Sequence, residues 1–575
     1  MTELDDNVKE IFETFKIPCY GNHGQITKRS LGYNTARPGE HLELDFVARI
    51  NRVGLILEVT AEKRNQRREM RKFVDHCQEF VKAPIGMREK IRLLCGIPRR
   101  ARQDFETITE WRYVYIGTSE EIIQLQLDET AFPGQPLCVL NREHYEYLRF
   151  LCDRLGEFGK YEFVKGLDIS PQEAGETATE IRVDTISLIG RKISKGMDLV
   201  DLYAFETNVS HLLKVARVVR YGSLESWVPE IGTEAYQRLL SPDKLRRIRE
   251  FLKKERGKSS FPNAITVVLS PNVRPAETGN VRKLVIPLEY GSIEVIDGQH
   301  RLFAFAKCGL RSDQLEEAKL LVIGVRFRDY SVKKQQQWSA RTFIEINRSQ
   351  TKVPTELIQL IANSVMGETT PTALAARVLV NLNLKRGPLG NVFHTRPFQK
   401  LNRVGGRPVR LVTVTEELAS LLDLKNSEQT ETLGIYRTFS DEAWRALERG
   451  RPDKIISECQ RVVNEYFGWV SNIFRADWNS KDSLVFTSKY MAALCKILIE
   501  FKKRGFGTSR IRNRLNQTKT NIESYLRNNG KTLGSKGEIL WKENAAIPGI
   551  TSGLPSARGS FSEIYEFLSK QAQLS

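Results

Sequence analysis

Residues 297–301 read Asp-Gly-Gln-His-Arg, which sets a carboxylate, an amide, an imidazole and a guanidinium in one short stretch. Ile293, Val295 and Ile296 precede them as a short apolar run, which predicts a buried strand end. Leu302, Phe303, Phe305 and Ala306 follow with the apolar spacing of a helix. The unit is therefore strand, polar turn, helix. Such a turn gathers backbone N–H groups at one point, which suits an anion such as phosphate. Gly298 permits a close approach or an unusual φ. Gln299, His300 and Arg301 supply donors, and Arg301 can grip a phosphate through two parallel bonds. The competing reading is a plain strand–helix joint with Arg301 in a structural salt bridge. Asn347 could orient a water or bind a ligand, or else cap a helix C-terminus. Lys352 could reach a phosphate.

Other elements must hold that turn in place. Strands are predicted at 265–269, 283–287 and 318–326, and a helix at 338–347. Ser241 and Pro242 open a predicted helix over 242–258. It carries Lys244, Arg246, Arg247, Arg249, Lys253, Lys254, Arg256 and Lys258 around one apolar stripe of Leu245, Ile248, Phe251 and Leu252. That much positive charge exceeds what solubility needs and predicts contact with a DNA backbone, with a merely solvated surface as the competing reading. Upstream, a helix is expected at 5–15, then two strands within 41–62 that carry Asp45 and Glu58. The basic stretch 62–72 reads equally as a solvated helix face or one that tracks phosphates. A strand at 111–116, a helix at 144–155 and a linker over 163–183 follow. Beyond Pro354 the pattern turns helical, at 356–365, 372–382, 413–422, 441–447, 454–467 and 487–503. A basic loop is expected at 385–410, a basic loop-to-helix stretch at 504–514, and a last helix at 561–568. The tail 534–575 suggests no function.

Composition fits this plan. The 575 residues allow about three domains, at roughly 150 residues each. The expected division is 1–165, 185–410 and a mainly helical 411–575. Lys and Arg number 88 against 70 Asp and Glu, a net charge of +18 that favours a polyanion, with nucleic acid ahead of a membrane surface. The eight Cys form no CxxC pair and no Cys/His cluster of zinc-ligand spacing, as expected of reduced thiols in a cytoplasmic protein. The acidic N-terminus is no secretory signal, and no run of about 18 apolar residues marks a membrane span. A membrane is therefore not an expected partner.

Asp297-Gly298-Gln299-His300-Arg301 matches the motif that names the DGQHR-domain family of bacterial DNA-modification and defence proteins, of which DndB and DpdB are members. Residues 298–304 are more distantly similar to the ParB box that contacts nucleotide phosphates. Tyr236-Gln237-Arg238 resembles the family's YQR step, and Phe261-Pro262-Asn263-Ala264-Ile265 its FPNAI strand entry. FIEINRSQTKV, residues 343–353, resembles its F-x-x-I-N-x-x-Q-x-x-V segment. The resemblance covers roughly 190–400. It implies an α/β (α+β) multidomain chain with a ParB/sulfiredoxin-like central domain. ATP or another nucleotide would bind at Gly298, Gln299, His300, Arg301 and Lys352. Arg301 would stabilise phosphate charge beside a clamping Mg²⁺, Asp297 would orient metal or water, and Asn347 would assist. Double-stranded DNA and other proteins of a DNA-modification or defence system are the implied partners. No Walker P-loop accompanies the motif.

The acids at Asp45 and Glu58 resemble those of the restriction-endonuclease-like fold, where one acid on a strand and an acid-x-Lys on the next hold Mg²⁺ and activate water. Glu10 or Glu13 would be the acid of the preceding helix. The chain departs from that pattern at the Lys position, which is Thr60; Lys63, three residues past that position, would point to the opposite face of a strand. Three functions follow: a nucleotide-binding and possible ATP-hydrolysing DNA-associated protein, a Mg²⁺-dependent nuclease, or a non-enzymatic DNA-binding regulator.

Overall fold

A computed structural model describes residues 3–21, 25–33, 39–60, 66–117, 137–176, 178–192, 199–218, 240–254, 261, 263–278, 281–328, 332–350, 359, 362–363, 367–393, 409–422, 439–480, 483–528 and 561–574. The chain forms two compact units, Met1–Ile346 and Asn347–Ser575, and is mixed α/β as its patterning predicts.

The first unit begins with strands β1 (Cys19–Gly21), β2 (Ile26–Thr27), β3 (His41–Leu42), β4 (Phe46–Ile50), β5 (Val53–Thr60), β6 (Glu110–Gly117) and β7 (Leu137–Leu140). Five of them make a sheet of order β1-β4-β5-β6-β7. β4 and β5 are antiparallel and close on Asn51 and Arg52, with Asn51 at φ 50°. β5, β6 and β7 are parallel, so the chain must cross over between β5 and β6. Helices Gln66–Lys82, Met87–Leu93 and Arg99–Phe105 make that crossover. Met70, Phe73, Val74, Cys77 and Phe80 lie at helical spacing on the first of these and bury against Ile56, Trp111, Tyr113 and Tyr115. Helices Glu3–Thr14 and Arg142–Leu155 also pack on the sheet and on each other. β5 is thus covered on both sides, which is why VGLILEVT reads as a nearly unbroken apolar run. Gly54 pairs with Trp111, and a Cβ there would lie 2.5 Å from Trp111 Cε3. The missing side chain is what lets the indole lie across the strand.

Two local expectations change. The first strand begins at Phe46, not near His41; His41 and Leu42 pair with β2 instead. Leu42 and Leu44 bury in the cluster under helix Gln66–Lys82, and this pull breaks the chain away from the sheet just before Asp45. The segment 163–183 is packed and is not a loose linker. Helix Gly159–Gly166 runs into it, Leu167 and Ile169 are buried, and Asn51 Nδ2 donates to the Glu173 carbonyl at 3.0 Å.

The second sheet holds β8 (Glu180–Lys192), β9 (Leu199–Asn208), β10 (Ala216–Arg217), β11 (Ile265–Leu269), β12 (Arg274–Thr278), β13 (Val281–Pro287), β14 (Ile293–Asp297) and β15 (Lys319–Phe327). Its order is β10-β14-β11-β15-β9-β8-β13-β12. β14 is an inner strand, parallel to β10 and antiparallel to β11, so Ile293, Val295 and Ile296 are buried. Helices Val209–Val215 and Pro242–Lys254 pack against helix Gln299–Ala304, which follows β14. Glu162 fastens this part to the first sheet's helices: its buried carboxylate accepts from Tyr147 Oη at 2.7 Å and Tyr290 Oη at 2.8 Å.

The second unit is helical. Pro371–Leu384, Leu411–Ala419, Asp441–Glu448, Asp453–Ile473, Ser488–Lys503, Thr508–Asn528 and Phe561–Gln571 surround one apolar core, with Leu379, Leu418, Tyr466, Phe467, Met491 and Leu498 among its members. Thr370 and Ser440 cap two of them through side-chain oxygens that accept from Ala373 and Ala443 N–H. Most of the helix expected at 356–365, residues 394–408 of the basic loop, and residues 529–560 lie outside the described residues. No helix among the described residues is long and apolar enough to cross a membrane. The eight cysteines form no disulfide.

Candidate functional site

β14 ends at Asp297, and Gly298 turns the chain with φ 93° and ψ 8°. That left-handed conformation costs other residues roughly 1–2 kcal/mol. A Cβ at 298 would also stand 3.1 Å from both Arg301 Nη2 and Ile265 Cγ1. Glycine therefore lets the chain turn and lets Arg301 fold back over the turn. Arg301 Nη2 donates to Asp297 Oδ2 at 3.2 Å, and Nη1 donates to the Asn263 carbonyl just before β11. The guanidinium braces the exit of one strand against the entry of its neighbour. Its side chain keeps 19% exposure, and two of its five N–H donors are engaged in this way.

His300 Nε2 accepts the Ser241 N–H at 2.9 Å, so in this contact the ring is unprotonated at that nitrogen. It fixes the residue that precedes helix Pro242–Lys254. Gln299 is different. It is 7% exposed, and its Oε1 has no hydrogen-bond partner among the described residues. A buried polar atom left unpaired costs about 1–3 kcal/mol. An orphan acceptor calls for a donor, such as a ribose hydroxyl or an exocyclic amine, and not for a bare phosphate oxygen. Asn347 lies on helix Val332–Gln350, but its side chain is outside the described residues. Lys352 and Tyr236-Gln237-Arg238 are outside them as well. The structure thus brings Asp297, Gly298, Gln299, His300 and Arg301 together with the backbones of Asn263 and Ser241. Those two partners act through main-chain atoms, which leave no side-chain signal in a sequence.

The helix expected at 242–258 is described over Pro242–Lys254. Leu245 and Leu252 are buried, while Lys244, Arg246, Arg247, Lys253 and Lys254 are exposed. Arg249 does not join the outer face. Its Nη2 donates to the Arg154 carbonyl at 2.6 Å and its Nε to the Ala304 carbonyl at 3.3 Å, which fastens this helix to two others. Arg256 and Lys258 lie outside the described residues.

Asp45 and Glu58 meet at the other sheet. Asp45 Oδ2 accepts the Val59 N–H at 2.9 Å. Burial raises the Asp45 pKa, against the pull of that hydrogen bond. Burial, then the nearby Asp45 charge, pushes Glu58 up to about 8. Lys72, on helix Gln66–Lys82, acts in the opposite direction on Glu58 and pairs with Glu43 Oε2 at 3.2 Å. Thr60 leaves the lysine position of the strand empty of charge; among the described residues, the charge of Lys72 acts on Glu58 from the helix, and Lys63 lies outside them. No group of three or more His, Cys, Asp or Glu suited to a metal occurs among the described residues. Mg²⁺ commonly takes one or two carboxylates and completes its shell with water and phosphate, so the pair fits that ion in an open site only.

The Glu58 shift has a measurable consequence. A carboxyl raised from 4.5 to about 8 stabilises the fold below pH 4.5, and that contribution is lost as pH rises through 8. Glu58→Gln is expected to flatten the decline of Tm between pH 5 and 8 and to melt higher than wild type at pH 8. Mg²⁺ should raise the Tm of the wild type only. Parallel Tm–pH curves for the two proteins would contradict the burial of this carboxyl.

The architecture is an α+β layer and a larger mixed sheet, with a strand–turn–helix at the sheet's inner strand. Residues 207–361 match the family described as DndB, DNA-sulfur modification-associated. The matched span holds the basic helix and the whole 297–301 turn. The match is a likeness of this span to a DndB-like family. No curated protein and no solved structure matches the chain.

Proposed function

We propose that the protein is a nucleotide-binding, DNA-associated component of a bacterial DNA-modification or defence system. The observation that carries this reading is the buried Gln299 Oε1, without a partner among the described residues, in the turn at the centre of the DndB-matching span. ATP or a related nucleotide would place a sugar hydroxyl or base amine on Gln299. Its phosphates would meet the guanidinium donors of Arg301 that the brace leaves over. The brace has already fixed the orientation of that group, so less order is lost on binding. Asp297 is the further candidate for holding water or Mg²⁺. Double-stranded DNA would lie along the exposed cations of helix Pro242–Lys254.

Gln299→Leu separates this role from a structural one. Removing a buried orphan carbonyl should stabilise the protein, by up to about 1–3 kcal/mol. The same change should weaken nucleotide binding at least tenfold. A destabilised variant with unaltered nucleotide affinity would refute the ligand role, since it would mean that Gln299 serves packing alone.

A second reading rests on the raised Glu58 carboxyl beside Asp45. Mg²⁺ held by these two acids would supply Lewis acidity and an activated water for DNA cleavage. Lys72 would neutralise charge at Glu58 in place of the lysine missing at Thr60. Plasmid nicking in Mg²⁺, lost in Asp45→Ala and in Glu58→Ala, would establish it. Salt-sensitive DNA binding with neither nicking nor nucleotide binding would leave a non-enzymatic regulator.

A further inference from the structure

Away from both candidate centres, the first unit contains a cavity of about 190 Å³, several times the roughly 30 Å³ taken by one water. Its walls come from the β4–β5 hairpin, helix Gly159–Gly166 with the turn after it, and the turn that leads into β14. Two acids line it and both are already paired. Glu289 Oε1 meets Lys165 Nζ at 2.8 Å, and Glu176 Oε2 meets Lys214 Nζ at 3.1 Å. Lys16, at the rim, pairs with Glu157.

Two lining cations are less closely paired. Arg49 has its nearest carboxylate, Asp104, at 4.0 Å, and its Nη2 donates to Thr107 Oγ1 at 3.3 Å. Its Nε is buried and has no acceptor among the described residues. Lys160 makes no ion pair among the described residues, and its ammonium lies 5.0 Å from the centre of the Tyr161 ring. Burial lowers the Lys160 pKa, and Lys214 and Lys16 push the same way, against Glu176 and Glu157. A buried N–H without an acceptor and a half-buried ammonium without a counter-ion on one cavity call for an anion. Ile50, Leu288 and the Tyr290 ring give the same cavity an apolar wall.

We propose that this cavity binds a small phosphomonoester, its phosphate at Arg49 and Lys160 and its organic body against Leu288 and Tyr290. The site is separate from the 297–301 turn and does not depend on its function. Because the cavity lies where the first sheet's hairpin meets the approach to β14, an occupant ties these elements together and raises the melting temperature.

The test is calorimetric titration of the full chain with ribose 5-phosphate, glycerol 3-phosphate, inorganic phosphate and ribose, beside melting curves. At least one ester should bind saturably and more tightly than inorganic phosphate, and ribose should not bind. Arg49→Gln and Lys160→Gln should each weaken the ester at least tenfold, Lys160→Arg should stay within a few-fold of wild type, and Arg301→Ala should leave that affinity unchanged. The half-exposed Lys160 keeps the test decisive if Arg49→Gln fails to fold. Failure of both esters to bind, equal affinity in a folded Lys160→Gln, or phosphate binding as tightly as the esters would overturn the assignment. Loss of ester binding in Arg301→Ala instead would move the site to the 297–301 turn and equally overturn it.

Discussion

Reversing Arg246, Arg247 and Lys253 to Glu is expected to weaken duplex DNA binding by about 100-fold near 0.1 M salt. All three side chains are exposed on helix Pro242–Lys254, and among the described residues only Arg246 has a carboxylate at hand, Asp243 at 2.8 Å. Exposed i,i+3 pairs of that kind are worth little and yield readily to a phosphate. Each phosphate contact removed should lower the slope of log affinity against log salt by about one, so the triple variant should lose about three. The loss should be the same on unrelated sequences, because backbone contacts carry no base information. Arg249 is left alone on purpose: reversing it would break its bonds to the Arg154 and Ala304 carbonyls and confuse unfolding with lost affinity. A folded triple variant with wild-type affinity and slope would remove this helix from the DNA surface.

The second large effect concerns Arg301. Arg301→Ala should weaken nucleotide binding by one to two powers of ten, since a hydrogen bond to a charged group is worth about 1.5–3 kcal/mol. It should also lower stability, because the variant leaves Asp297 and the Asn263 carbonyl without their shared donor. Arg301→Lys should recover part of each loss, since lysine keeps the charge but cannot span two acceptors in one plane. A purely structural arginine gives another pattern. The alanine variant would then melt lower, while its folded fraction kept full nucleotide affinity. Titration and melting on the same preparations distinguish the two.

The strand–turn–helix at 293–306 was legible because its signals are local: a short apolar run, one glycine, then an apolar helical face. The same holds for helix Pro242–Lys254, where proline marks the start and Leu245 and Leu252 mark the buried stripe. What escaped depends on distant parts of the chain. Arg249 looks like every other cation on its helix, and its acceptors are carbonyls 55 and 95 residues away. Asp45 reads as a strand residue, yet the burial of Leu42 and Leu44 under another helix ends the pairing before it. The order β10-β14-β11-β15-β9-β8-β13-β12 joins strands far apart in sequence, and no local pattern encodes it. The cavity at Arg49 and Lys160 likewise arises only when four separate segments come together.

Whether the 297–301 turn takes a nucleotide is tested most directly by calorimetric titration of the full chain with ATP, CTP and GTP, with Mg²⁺ and duplex DNA present. At least one nucleotide should bind saturably to the wild type, and at least tenfold more weakly to folded Gln299→Leu. If none of the three binds the wild type under these conditions, the turn is a structural joint between β14 and the helix after it, and the nucleotide site does not exist.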